Sequence, residues 1–457
     1  MKRLFLVLLL CVLSAVPFEV HADVAPPLNP PGTNPVPGLE STQVRMVAET
    51  VLIDVKDDRE PGSLGTADVT ADFTMRNLGE QDERMAVRFP VSGNDGRDQY
   101  PSLTGLVVKV DGKQVSTRRT SYPDLRFPTQ SVPWIEFDVI FPAGQDVEIG
   151  VRYGLQGSGY APYAAYYYVL ETGAGWKGTI GSADITLRMP YPASSQNIVL
   201  DLQIGWAETT VGGVIRENEM QWHFEDFEPG PGGVITNMEF AIVAPVEWQA
   251  VLEEREAVSK AASDGEAWGR LGKAYKGIFF MNKGFREDPG GAELYLLSAE
   301  AYEHCLALLP NDAQWHAGFG DLLTSHAYWD YAGTGLPNEM YRGLEEIHTA
   351  LQMAPKDAKV LEMAEKIYWM FPEAMPTSEA GYDFVWLTQT PTPRSSHTPA
   401  AAIQATVTPQ PTHPAPTETL PPATAPARAP NPLFHACGSA ALVPIAVLLG
   451  AFRKRRP

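Results

Sequence analysis

Hydrophobic and polar residues alternate with a period of two along most of the range Thr42–Val243. In Ala67–Phe73 every second residue is apolar, as expected for a strand with one buried face. About eleven or more such runs follow one another without helical patterns between them, and they predict an all-β antiparallel sandwich. A glycine-containing break near residue 155 divides this region into two predicted sandwich units, 42–155 and 156–244.

One hairpin in this region can be predicted together with its turn. Two alternating runs, Leu106–Val110 and Lys113–Thr117, flank the dipeptide Asp111-Gly112. An Asp-Gly pair favours a type I′ turn, because both central positions of that turn need a left-handed backbone. We therefore expect the two runs to pair as neighbouring antiparallel strands.

After Pro245 the hydrophobic period changes from 2 to about 3.6 residues, which predicts a helical domain at 246–372. The sequence Trp268-x2-Leu271-Gly272-x2-Tyr275 matches the opening pattern of a tetratricopeptide repeat. The region 268–372 therefore resembles the tetratricopeptide repeat (TPR) family. The resemblance implies an all-α array of stacked helical hairpins.

The repeats in this region are longer than those of the family. The prolines that end two successive repeats, Pro310 and Pro355, lie 355 − 310 = 45 residues apart, whereas the family repeats every 34 residues or so. The difference predicts an insertion of about 11 residues within the repeat. New helices are expected to begin at Ala313 and at Ala358.

The TPR resemblance also implies a concave face, built from the first helix of each hairpin, that binds a protein or a peptide. The asparagines with which some members bind a peptide carboxylate are absent. The alternative is that so short an array only packs on the β region. The family's groove positions fall in this chain on Lys273, Lys276, Asp321, Thr324, Lys366 and Trp369.

Both ends of the chain carry targeting patterns. A basic start, an apolar run and small residues up to Ala22 predict a signal peptide at 1–22. At 437–457 an apolar segment is followed by four basic residues, which stay on the cytoplasmic side of a membrane. This tail is either a short transmembrane helix or a sorting tail. It resembles the sorting tails of exported prokaryotic surface proteins, which implies processing near Cys437.

Two proline-rich stretches separate the folded regions from these ends. Residues 23–41 form a short leader, and residues 388–432 contain 12 prolines and 10 threonines among 45 residues. Such a composition predicts an extended stalk without a core of its own. We therefore expect an exported protein tethered to the cell surface, with its basic C-terminal tail in the cytoplasm.

Composition and charge narrow the possible partners. The chain has 457 residues, 35 basic and 55 acidic, and its formal net charge of −20 repels nucleic-acid phosphates. Three cysteines exclude a disulfide scaffold. The expected partners are an envelope or extracellular protein or peptide and, through the C-terminal segment, the membrane.

Candidate chemistry is sparse in this sequence. The acidic residues Asp54, Asp57 and Asp58 offer loop oxygens of the kind that bind Ca²⁺. They do not have EF-hand spacing, and the alternative is a solvated acidic turn. The sequence has no nucleophile-elbow, phosphate-loop or zinc-protease motif. We predict no cofactor and no catalytic residue.

A second resemblance concerns the β region. The segments Asn77-Leu78-Gly79 and Trp222–Pro229 resemble an uncharacterised family of exported bacterial β-domain proteins, which implies an extracytoplasmic β domain. We predict a non-catalytic protein that binds or scaffolds other envelope proteins through its TPR-like and β domains. The alternative is a surface-anchored enzyme, such as a glycan-active hydrolase, that uses acidic residues from the β loops.

Overall fold

A computed structural model describes ten stretches of the chain: residues 42–91, 103–123, 131–170, 173, 175–200, 209–229, 237–279, 288–329, 337–378 and 381–384. Every described residue belongs to one compact unit, which lies within Met1–Pro391. The predicted signal peptide with Ala22, the leader, the stalk and the tail with Cys437 lie outside the described residues. None of the helices in the described stretches is long and apolar enough to span a membrane.

A large β part comes first in the chain. Its inward residues follow the predicted period of two: Val69, Ala71 and Phe73 of β2 are at most 1% exposed. Each larger apolar side chain buried in this way stabilises the fold by about 1.5–3 kcal/mol. The strands are β1 (Val44–Val55), β2 (Thr66–Asn77), β3 (Glu83–Pro90), β4 (Thr104–Val110), β5 (Lys113–Gln114), β6 (Arg118–Pro123), β7 (Ser131–Phe141), β8 (Asp146–Gln156), β9 (Tyr163–Val169), β10 (Ile180–Arg188), β11 (Val214–Arg216), β12 (Glu219–Phe227) and β13 (Asn237–Val243), followed after the helices by β14 (Thr377–Ser378) and β15 (Gly381–Tyr382).

Eight of these strands form one sheet, in the order β11-β12-β10-β1-β2-β8-β4-β5. The predicted hairpin joins β4 to β5, with Val110 opposite Lys113. Asp111 and Gly112 have positive φ angles of 49° and 74°, as the type I′ turn requires. The turn prediction is confirmed.

Smaller sheets complete a layered core. The order β3-β7-β6 gives a three-stranded sheet, and β9 pairs with β13. Aromatic contacts join them to the large sheet: the ring centroids of Phe89 and Tyr153 lie 5.8 Å apart, and those of Trp222 and Phe240 lie 5.2 Å apart. Most of the buried apolar residues of these sheets belong to one continuous hydrophobic core.

Two features of the predicted sandwich were wrong. The large sheet is mixed rather than antiparallel, because β1 pairs in parallel with β10, from Glu49 opposite Ala183 to Asp54 opposite Arg188. That pairing also joins strands from both sides of residue 155, so the boundary predicted there does not separate two sheets. The alternation of hydrophobic and polar residues indicates which side chains face the core. It does not indicate which strand pairs with the second edge of β1.

The α part begins at Pro245, where the period was predicted to change. α4 and α6 begin at Ala313 and Ala358, as predicted. Several helices start at an aspartate whose side chain accepts hydrogen bonds from backbone N–H groups of the first turn, and each such cap stabilises by about 1 kcal/mol. The helices are α1 (Pro245–Lys260), α2 (Gly265–Phe279), α3 (Pro289–Leu308), α4 (Ala313–Trp329), α5 (Pro337–Met353) and α6 (Ala358–Met370).

The first helices pack directly on the β part. The Tyr163 hydroxyl of β9 donates a hydrogen bond to the Ile278 carbonyl of α2. The rings of Tyr191 and Trp248, the latter on α1, have centroids 6.1 Å apart. The β strands and helices α1–α3 therefore share a core, and a second hydrophobic cluster lies among α4, α5 and α6.

Candidate functional site

Three of the six predicted groove residues meet in an ion network. Lys276 of α2, Asp321 of α4 and Lys366 of α6 are spaced 45 residues apart, like the prolines that end the repeats. The Lys276 Nζ lies 2.5 Å from the Asp321 Oδ2, and the Lys366 Nζ lies 2.9 Å from the Asp321 Oδ1. Ser325 donates a further hydrogen bond to Asp321 over 3.0 Å. The network joins the first helices of the array to one another.

The Lys276–Asp321 pair of this network is nearly closed to solvent. The side chain of Lys276 is 12% exposed and that of Asp321 is 7% exposed. Burial lowers the pKa of Lys276, and the charge of Asp321 opposes that shift only in part. Burial would raise the pKa of Asp321, but the charges and hydrogen bonds of the two lysines outweigh it and lower the pKa. The arrangement is that of a structural ion pair, whose partners satisfy one another.

The predicted groove is therefore not an open surface at its centre. Asp321 and Thr324 are buried, and the Thr324 hydroxyl donates to the Gly320 carbonyl of its own helix over 2.7 Å. The physical reason is that α4 is buried all round from Ala317 to Ala327, whereas a TPR groove would leave one of its faces exposed. Of the other predicted positions, Lys273 is exposed, the Lys366 side chain is 41% exposed and Trp369 is 73% exposed.

The three acidic candidates for Ca²⁺ are held by separate partners. Asp54 pairs with Lys56 at 2.8 Å, and Asp57 pairs with Arg59 at 2.9 Å. The Ser63 hydroxyl donates to Asp58, which lowers the pKa of that carboxyl. The described residues contain no group of three histidine, cysteine or acidic side chains placed to hold a metal ion. The structure does not bring the predicted Ca²⁺ ligands together.

A cavity of about 310 Å³ lies between helices α1, α2 and α3. It is a site that the sequence reasoning missed, since its aromatic residues were interpreted as packing between repeats. The cavity is open to solvent, and its lining is mostly apolar and aromatic, from Val258, Trp268, Leu271, Tyr275, Leu297 and Ala301, with Ser259 as a small polar residue. Its volume is close to the lower limit of ligand sites in proteins.

Arg255 of α1 is held rigidly beside this cavity. Its Nε donates to the Tyr275 hydroxyl over 2.8 Å, and its Nη2 donates to the Gln196 Oε1 over 2.5 Å. The guanidinium carbon lies 5.0 Å from the centroid of the Trp248 ring and 5.2 Å from that of Tyr275. Such cation–π contacts and hydrogen bonds fix the plane of the guanidinium group before any ligand arrives.

The α3 wall of the cavity carries an acid. Glu300 of α3 is solvent-exposed and lines the cavity, and its Oε1 lies 3.8 Å from the His304 Nε2. The His304 ring stacks on Trp268 with a centroid distance of 4.4 Å, and the Trp268 Nε1 donates to the Ala262 carbonyl over 2.9 Å. The cavity therefore combines an apolar interior with one basic and one acidic group.

A second cavity, of about 250 Å³, lies on the outer face of the large sheet. Gly150 of β8 is among its lining residues. Two acids, Asp72 and Glu148, and two bases, Lys109 and Arg152, surround it. All four charged side chains are solvent-exposed, so this second cavity has a lining of mixed charge.

Comparisons with known proteins find distant structural similarity. A Legionella pneumophila protein described as nutrient-binding is 20% identical, with a TM-score of 0.41, over 70% of this chain and 98% of that one. An M1 zinc metallopeptidase from Deinococcus radiodurans is 8% identical, with a TM-score of 0.23, over 74% of this chain and 88% of that one. A Parabacteroides distasonis protein described as a protease is 8% identical, with a TM-score of 0.23, over 69% and 59% of the two chains.

No protein family matches the chain as a whole or in part, and no curated protein matches it. At these TM-scores the structural similarities carry no conclusion about activity. The sequence resemblances to TPR repeats, to exported β-domain proteins and to sorting tails therefore stay predictions.

Proposed function

We propose that this chain is a non-catalytic protein of the cell envelope that binds another envelope or extracellular protein or peptide. The observation that supports binding is the cavity between α1, α2 and α3, with its apolar walls and its two opposite charges. Ligand sites in proteins combine a mainly apolar lining with a few polar groups that fix orientation. The helical part then acts as the binding element, and the β part supports it through the shared core.

The size of the cavity indicates what a partner would insert. About 310 Å³ is close to the lower limit of small-ligand sites, which suits one apolar side chain rather than a folded segment. Burying a leucine or phenylalanine side chain there contributes about 1.5–3 kcal/mol. Groups at the rim add the remaining affinity and the specificity.

The proposed location rests on the sequence. The signal-like start, the proline- and threonine-rich segment and the basic tail support export and tethering to the cell surface. In that arrangement the stalk holds the β and helical parts away from the membrane. The cavity then faces proteins of the envelope.

The test fills the cavity. Ala301 is 1% exposed in the cavity wall, so Ala301→Phe places a ring in the space that a partner would occupy. Ala307→Phe, on the exposed face of the same helix, is the matched control. The purified full chain and both variants are incubated with envelope extract, and captured proteins are identified by mass spectrometry.

The proposal predicts that the wild type and Ala307→Phe capture a specific protein and that Ala301→Phe does not capture it. Equal capture by all three chains would show that the cavity is not the binding site. Failure of the wild type to retain any protein would contradict the binding function. Circular dichroism of each variant checks that the helices are intact.

A further inference from the structure

The charges beside the cavity identify the part of a partner that it takes, and this inference rests on the proposed function. Arg255 lies on the α1 wall and Glu300 on the α3 wall, so a ligand in the cavity meets a cation on one side and an anion on the other. An apolar side chain alone would need neither charge. A ligand that uses both needs an acceptor oxygen and a positively charged donor close to an apolar group.

Arg255 has donors left for the acceptor oxygen. A guanidinium group carries five N–H donors, and two of them are used by Tyr275 and Gln196 in the part of the chain that the structure describes. The two aromatic rings and these hydrogen bonds keep the group in place. A carbonyl oxygen of a ligand in the cavity can therefore accept from a prepositioned donor, at little cost in side-chain entropy.

Glu300 supplies the partner for the positive group. Its carboxylate is solvent-exposed, adjacent in sequence to Ala301 of the cavity wall. An ammonium group on the ligand would form a charge-assisted hydrogen bond with it, which is stronger than a bond between neutral groups. The net charge of −20 also attracts cationic ligands to this chain at a distance.

We propose that the cavity binds the N-terminal residue of a partner chain when that residue has an apolar side chain. The side chain enters the space between Trp268 and Leu297, the α-ammonium group binds Glu300, and the first carbonyl oxygen accepts from Arg255. An internal peptide segment offers the apolar side chain and the carbonyl but no ammonium group. A peptide C-terminus offers a carboxylate to Arg255 but no ammonium group to Glu300.

The test compares peptides that differ in one group. The probes are a leucine-led tetrapeptide amide with a free amino terminus and the same peptide N-acetylated, each titrated calorimetrically into the purified full chain. We expect the acetylated peptide to bind about tenfold more weakly or worse, because it cannot form the charged hydrogen bond.

Two variants assign the preference to one residue. Glu300→Gln should abolish the preference for the free amine, whereas Glu303→Gln, on the same helix and paired with Arg342, should keep it. Equal affinity for the free and acetylated peptides, a preference that survives Glu300→Gln, or no peptide binding would each overturn this inference. If envelope capture is nevertheless lost in Ala301→Phe, the proposed function stands and only the assignment of the N-terminus fails.

Discussion

Replacing Asp321 by asparagine should destabilise the helical part strongly. The substitution removes the negative charge between Lys276 and Lys366 but keeps the size of the side chain and an acceptor for Ser325. The side chains of Lys276 and Asp321 are 12% and 7% exposed, so the pair is almost fully buried. Removing one partner of such a buried pair lowers the free energy of unfolding by about 3–5 kcal/mol. The Lys366 side chain is 41% exposed, so its ion pair with Asp321 contributes only about 0–1 kcal/mol to stability.

We expect a loss of about 3 kcal/mol, the lower end of that range, because the amide oxygen of asparagine still accepts hydrogen bonds. Urea unfolding followed by circular dichroism measures it. Lys273→Met, at an exposed position three residues before Lys276, should change the free energy of unfolding by no more than about 0.5 kcal/mol.

A double-mutant cycle then tests the mechanism. Lys276→Met combined with Asp321→Asn should cost less than the sum of the two single changes, because each single change removes the same Lys276–Asp321 interaction. A loss within about 0.5 kcal/mol of zero for Asp321→Asn, or strict additivity in the cycle, would refute the view that the network is a buried structural pair.

Three further predictions follow from other parts of the chain. Gly290→Ala should unfold or displace α3, because the added Cβ would lie 1.7 Å from the Ser195 carbonyl oxygen. Gly277→Ala should instead stabilise α2 by about 0.5–1 kcal/mol, because the space around Gly277 is open. Thermal melts in which Gly290→Ala is the more stable variant would contradict this. The hydrogen bond to Glu346 raises the pKa of His316 above 6.5. The stabilisation of the fold by this His316–Glu346 pair is therefore complete below about pH 6.5 and is lost as the pH rises through the folded-state pKa of His316. Glu346→Gln should therefore cost more stability at about pH 6 than at about pH 9, and an equal cost at both would disprove the linkage. Protease treatment of intact cells should release a fragment of about 400 residues, and complete protection would argue against surface display.

Local features of the fold could be predicted from the sequence. The alternation in β2, the type I′ turn at Asp111-Gly112 and the helix starts at Ala313 and Ala358 depend on residues close together in the chain, and the structure confirms them. The parallel pairing of β1 with β10 could not be predicted, since strand partners more than 100 residues apart leave no local pattern.

The candidate site shows the same limit. Mapping groove positions placed Lys276, Asp321 and Lys366 at equivalent points of three helices, and they do meet, but as a buried pair rather than as a binding surface. The cavity was missed because it depends on how α1, α2 and α3 meet. The sequence pattern identifies Trp268 and Tyr275 as buried helix residues. It is the same whether or not a cavity remains beside these side chains.

The most direct test of the central claim is photo-crosslinking in intact cells from two adjacent positions of α3. Leu297 lines the cavity, whereas Leu296 is 65% exposed and is not among its lining residues. A photo-reactive amino acid is introduced at one position or the other, and adducts are detected by immunoblotting and mass spectrometry. A specific protein adduct from position 297, absent from position 296, is the result that we predict. Adducts from position 296 alone, or from neither position, would contradict binding in the cavity.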